Sequence, residues 1–192
     1  MQETKSVLLV GVGGQGTILA SKLLTLGLLE AGYDVKMSEI HGMSQRGGSV
    51  SSQVRYGEQV LSPVIELGGA DLLASFELME ALRWLEYLKP GGRVVVNDYR
   101  LDPMPVITGA AAYPADIPAA LSQAAETTLI HAAAVAEELG SPRVMNIVLL
   151  GAIVKAMELT AIDWDAIIRA NVKPAFAKLN IAAIHKGMEL VA

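Results

Sequence analysis

The sequence predicts an α/β fold, a Rossmann-like and mostly parallel sheet flanked by helices, with an antiparallel excursion and a helical C-terminal third. Three observations predict it. An apolar run at Val7, Leu8, Leu9 and Val10 meets a glycine cluster at Gly11, Gly13, Gly14 and Gly16, and a long amphipathic stretch follows at residues 18–30; together they read as strand, tight turn and helix. Strand-like and helix-like segments then alternate, the pattern of parallel strands joined by helical crossovers. The 192 residues are 52% hydrophobic but only 5% aromatic, so a core of Val, Ile, Leu, Ala and Met is large enough for one α/β domain.

Residues 6–11 form the first strand and 16–31 the first helix, capped by Gly32. A second strand covers 34–39. The run HGMSQRGGS at 41–49 is too polar and glycine-rich for regular structure. Residues 50–56 alternate, with Val50, Ser52 and Val54 on one face and Ser51, Gln53 and Arg55 on the other, which predicts a half-exposed strand. YGEQ at 56–59 reads as a hairpin turn into Val60 and Leu61, so an antiparallel excursion interrupts the parallel pattern. Residues 71–76 form a buried strand, and 77–88 a helix with Leu78, Leu82, Leu85 and Leu88 at helical spacing, stopped by KPGG at 89–92. Val94, Val95 and Val96 mark a central strand at 93–98. Residues 101–118 are a proline- and alanine-rich connection with a short edge strand at Val106 and Ile107. A strand at 127–130 and helices at 132–139, 144–157, 163–170 and 174–186 complete the chain, with Asp163 as an N-cap. With no repeat, low-complexity tract or linker, residues 1–192 read as a single domain.

The composition excludes several functions. A net charge of −5 offers no basic footprint for nucleic acid. The polar residues 1–5 make no signal peptide, and the apolar run at 147–154 ends at Lys155, too short for a bilayer, so a cytoplasmic protein without a membrane partner is expected. Cysteine is absent, which excludes disulfides, thiolate catalysis and a cysteine-ligated cluster on this chain. His41, His131 and His185 lack ligand-like spacing, so no metal site is expected. The aliphatic surplus predicts a large partner interface, although a sheet buried on both faces accounts for part of it.

Two constellations carry the candidate chemistry. Gly11, Gly13, Gly14 and Gly16 match the dinucleotide fingerprint between strand and helix, where backbone N–H groups and a helix dipole suit a phosphate; the glycines equally permit tight turning and close packing. Gln15 stands at the mouth of the turn, positioned to touch a ligand or a neighbouring chain. Glu39 occupies the place of a ribose-binding acid. Second, His41, Ser44, Gln45, Arg46, Gly47 and Gly48 leave the same sheet edge if the second strand parallels the first, and Arg46 can form a fork to carboxylate or phosphate. Asn97 and Asp98 end the Val-rich strand at that edge, where Asp98 either caps the next turn or meets a ligand. Glu77 and Glu80 offset a helix dipole and receive no catalytic role. Asn146, polar in an apolar helix, needs partners and is placed to pin a loop or an interface.

GVGGQG at 11–16, SEIHGMSQRGGSVSSQVRYG at 38–57, ADLLASFELMEALRWLEYLKPGGRVVVND at 70–98 and MNIVLLGA at 145–152 together resemble the gamma-type domain of the 2-oxoacid:ferredoxin oxidoreductases, nearest to its indolepyruvate branch. The HGMSQRGG run is the most specific part. The resemblance implies a complex that oxidatively decarboxylates an aryl 2-oxoacid to acyl-CoA, carbon dioxide and reduced ferredoxin. It places thiamine diphosphate, Mg2+ and iron–sulfur clusters on a larger alpha subunit, with coenzyme A as co-substrate and ferredoxin reached through the complex. The isolated chain would hold none of these cofactors and no catalytic residue. Gly13, Gly14, Gly16 and Arg46 would face a phosphate-bearing group such as coenzyme A, or brace the alpha subunit. Two other classes stay open: a free-standing NAD(P)- or flavin-binding oxidoreductase, favoured by the fingerprint and Glu39, and a purely structural subunit.

Overall fold

The computed structural model describes residues 3–41 and 47–191, and for His41 the backbone alone. Strand β1 (Lys5–Val12) turns through the glycine cluster into α1 (Thr17–Glu30), and Gly32, at φ +86°, releases the chain into β2 (Asp34–His41). There follow β3 (Ser49–Gly57), β4 (Ala70–Ser75), α2 (Leu78–Arg83), β5 (Leu88–Asn97), α3 (Met104–Ile107), α4 (Ile117–Ala124), β6 (Glu126–Ile130), α5 (Ala132–Glu138), α6 (Met145–Ala156), α7 (Trp164–Asn171) and α8 (Pro174–Glu189).

The strands lie in the order β2-β3-β1-β4-β5-β6. Pairing is parallel from β1 through β4 and β5 to β6, while β3 runs antiparallel to both β1 and β2. β2 therefore points the same way as β1, and the carboxyl ends of five strands share one edge. The two sheet faces build two cores. Val7, Leu9, Val54, Leu72 and Val95 pack beneath α1, α6, α7 and α8; Leu8, Val10, Leu73, Val94 and Val96 pack against Ile65, α2 and α4. α6 is buried at ten of its twelve positions because it is wedged between the sheet and α8.

Several sequence expectations need correction. β3 is buried on both faces rather than half-exposed. It is an interior strand: Gln53 Oε1 accepts from Ile65 N at 2.6 Å, and the Arg55 guanidinium donates to the carbonyls of Ser62 and Val64, each at 3.1 Å, so the irregular segment after it folds back as a lid. No hairpin turn forms at 56–59. β3 continues to Gly57, and the hairpin is instead the β2–β3 pair. The helix expected over 77–88 ends at Arg83 and gives way to a 3-10 turn at Leu85–Tyr87. Pro90 has no N–H for the Glu86 carbonyl, which accepts from Gly68 N at 3.0 Å instead. Val106 and Ile107 belong to a short helix, not an edge strand, since Pro105 cannot donate to a sheet and fits a first helical turn. The connection expected over 101–118 ends in α4, which begins at Ile117; its Pro118 likewise sits in the first turn, where proline is tolerated. Finally, α1 is less amphipathic than expected, with Ile18 and Leu29 exposed on its outer face.

Candidate functional site

The two glycine constellations meet. Gly13 N donates to Gly48 O at 2.8 Å and Gly47 N donates to Gly13 O at 3.3 Å, so the turn after β1 and the approach to β3 form one platform at the carboxyl edge. Ser49 extends this clamp: its hydroxyl donates to Glu80 Oε2, and Trp84 Nε1 donates to Ser49 Oγ at 3.3 Å. Gly42, Met43, Ser44, Gln45 and Arg46 lie outside the described residues, as does the side chain of His41.

Within the turn the glycines divide by role. A Cβ on Gly11 would stand 2.8 Å from Gln15 Oε1 and 2.9 Å from Phe76 Cβ, so close packing demands glycine there. Gly14, at φ +105°, faces open space. Gly16, at φ +83°, is the N-cap of α1 and lies against Asn146, whose Nδ2 donates to Gly16 O at 3.2 Å. Among the described residues no side chain caps α1 and no acid stands in its first turn, so none of them compensates its N-terminal dipole. Asn146 is buried, and its Oδ1 has no hydrogen-bond partner among the described residues.

Two amides lace this edge together. Gln15 Oε1 accepts from Val12 N at 2.7 Å while its Nε2 donates to Phe76 O at 3.0 Å. Asn97, wholly buried, donates to the same Phe76 carbonyl at 3.3 Å and accepts from Ala132 N at 3.0 Å. The ends of β1, β4 and β5 and the start of α5 are thereby tied, and these bonds occupy both amide groups. Asp98 pairs with His131 Nδ1 at 3.0 Å on the surface, and its backbone N–H donates to Ile130 O at 2.7 Å. Glu39 accepts from Ser21 Oγ on α1 at 3.0 Å. β3 stands between β2 and β1, so Glu39 is two strand spacings, roughly 10 Å, from the glycine strand.

Sequence reasoning underrated α2. Glu77 is fully buried and has no cation within 4.0 Å among the described residues, Arg100 acting on it only at longer range. Instead Oε2 accepts from Glu80 N at 2.9 Å, and Oε1 accepts from Leu101 N at 3.2 Å and from the Tyr113 hydroxyl at 2.6 Å. Burial, and then that hydrogen bond to Glu77, push the Tyr113 hydroxyl's ionisation upward. Arg100 stacks on the Tyr113 ring, 4.2 Å from its centroid. The acids at the start of α2 thus tether two distant segments, Glu77 the connection after β5 and Glu80 the first residue of β3. The signal available in sequence was two carboxylates three residues apart at a helix start, which also describes an ordinary solvated cap.

Against this geometry the comparisons are specific. Residues 6–190 match the family described as pyruvate ferredoxin/flavodoxin oxidoreductase, and the chain belongs to that family. It is 37% identical over 190 residues to an indolepyruvate oxidoreductase subunit IorB of Pyrococcus horikoshii, covering 96% of this chain and 94% of that relative. Its fold resembles the crystal structure of a keto/oxoacid ferredoxin oxidoreductase gamma subunit from Geobacter sulfurreducens, with TM-score 0.70 and 24% identity across 97% of both chains. It also resembles part of a 2-oxoglutarate:ferredoxin oxidoreductase from Magnetococcus marinus, with TM-score 0.74 and 21% identity, covering 99% of this chain and 31% of that one.

Proposed function

We propose that this chain is a single gamma-type domain serving as the small subunit of an indolepyruvate-type 2-oxoacid:ferredoxin oxidoreductase. The observation that carries this reading is the similarity to IorB subunits along almost the entire length of both proteins. The complex would convert an aryl 2-oxoacid and coenzyme A to acyl-CoA and carbon dioxide, passing electrons to ferredoxin. Thiamine diphosphate, Mg2+ and the iron–sulfur clusters belong on a larger alpha subunit. A chain without cysteine supplies no thiolate ligands for a cluster, which fits that division of labour. No helix among the described residues is long and apolar enough to cross a membrane, and the assembly is proposed to work in the cytoplasm.

The contribution of this chain to the site is electrostatic and positional. The uncapped start of α1 and the open turn at Gly14 present backbone dipoles suited to a phosphate of coenzyme A. Arg46, carried by the connection that Gly47, Gly48 and Ser49 anchor, would add a charged fork to that phosphate. Gln15 and Asn97 hold the platform rigid, Asp98 follows Asn97 at its margin, and His41, Ser44 and Gln45 would add polar groups toward a bound ligand. A dehydrogenase reading loses its ribose-binding acid, because β3 separates Glu39 from the glycine strand. The test is Arg46→Ala in the reconstituted complex. The Michaelis constant for coenzyme A is expected to rise about tenfold or more, with subunit assembly intact. An unchanged constant in an intact complex would remove Arg46 and the phosphate assignment.

A further inference from the structure

Three long helices begin close together on the flank of the platform. α1 starts at Gly16, α6 starts beside Asn146, which touches Gly16, and α8 starts at Pro174. Among the described residues α1 and α8 have no side-chain cap and no acid in the first turn, whereas α6 is entered through a 3-10 turn, Pro142–Val144, whose N-cap Ser141 accepts from Arg143 N at 3.4 Å. Elsewhere the chain does what helix electrostatics favour: Asp163 caps α7 with Asp165 in its first turn, and Glu77 caps α2 with Glu80 following. Here it does the opposite. Arg143 stands just before α6, and Lys173 is the N-cap residue of α8, where the dipole disfavours a cation. Neither has a carboxylate within 4.0 Å among the described residues.

Between these cations runs a groove of about 480 Å³ lined by Leu19, Val144, Phe176 and Leu179, with no carboxylate among its lining residues. Phe176 stands at its lip half in water, 51% exposed. A positive apolar groove on a chain of net charge −5 is placed against both the local dipoles and the overall charge. We propose that it receives a segment of the large partner subunit in which an apolar side chain is flanked by Asp or Glu. The apolar residue would cover Phe176 and Leu179, and the carboxylates would meet Arg143, Lys173 and the uncapped start of α8. A small ligand deep in the groove would leave the Phe176 lip wet, whereas a protein segment laid across it removes that surface from water. The inference rests on the subunit reading above and goes beyond it by assigning the surface.

The test uses this chain and its large subunit, mixed and titrated by calorimetry or surface capture. Arg143→Glu combined with Lys173→Glu is expected to weaken association about tenfold or more, as is Phe176→Ser. Lys155→Glu with Lys178→Glu, an equal change of charge on exposed positions outside the groove, is expected to leave it within about twofold. The groove substitutions are at exposed positions, and acids at helix starts are favourable, so the melting temperatures of the groove variants should match the parent. Association unchanged in the groove variants, or weakened equally in the control pair, overturns the proposal. So does loss of anilinonaphthalene sulfonate binding in the groove variants with assembly untouched, which would make the groove a small-anion site. Failure of the parent chain to associate at all would overturn the subunit reading together with this one.

Discussion

Phe76 O, accepting from both Gln15 and Asn97, shows how single polar atoms determine where the carboxyl edge sits. Asn97→Ala strands the Ala132 N–H and weakens the hold on Phe76 O in a dry interior. Stability is expected to fall by about 2–4 kcal/mol in denaturant titration. At the opposite edge Asp71 plays the same part with charge. It accepts from Ser6 N at 2.8 Å and pairs with Lys5 and Lys89, joining the starts of β4, β1 and β5. Burial raises its ionisation, but the bonds from Lys89 and Ser6 and the two ammonium charges outweigh it, leaving the carboxyl below its ordinary value. A depressed folded pKa means stability present above the unfolded carboxylate value and lost as pH falls through the folded one. Asp71→Asn should therefore be less stable than the parent at pH about 7, with the gap closing below about pH 4, in unfolding curves across pH.

At the scale of elements, the α6–α8 crossing is the tightest helix contact. A Cβ on Gly187 would stand 1.9 Å from Val148 O, and one on Gly151 2.1 Å from Ile184 O, so the two backbones touch. Gly187→Ala must push α8 off α6 and is expected to cost about 3 kcal/mol or more, read as a drop in denaturation midpoint with unchanged slope. Gly27 yields its side-chain space to the Trp164 ring in the same way, seating α7 on α1. Periodicity located all these helices, but nothing in a one-dimensional pattern says which glycine is a contact surface and which a cap. β3 is the plainest case. Its alternation of Val with Ser, Gln and Arg is that of a strand with one wet face, yet Gln53 and Arg55 are satisfied by carbonyls and amides of the segment that covers them. Local polarity recorded hydrogen bonding, not exposure.

For the whole molecule, the strand order turns two separate motifs into one platform. Because β3 slots between β2 and β1, Gly47 and Gly48 reach Gly13, which the linear spacing of the motifs does not require. The exposed apolar side chains of Ile18, Leu61, Leu67, Met104, Ile107 and Phe176 fit a chain that works inside an assembly. The α/β class, most of the strands and helices, the absence of thiolate chemistry and the family were legible in the amino acids alone, because apolar periodicity, glycine punctuation and composition are local properties of the chain. The tertiary structure alone decided that β3 is interior, that Glu39 stands apart from the glycine strand, that Gln15 and Asn97 brace the edge, and that Arg143 and Lys173 converge on one groove. Those facts depend on contacts between residues far apart in the chain, and such contacts exist only once burial and hydrogen bonding have chosen among the arrangements that the same local pattern allows.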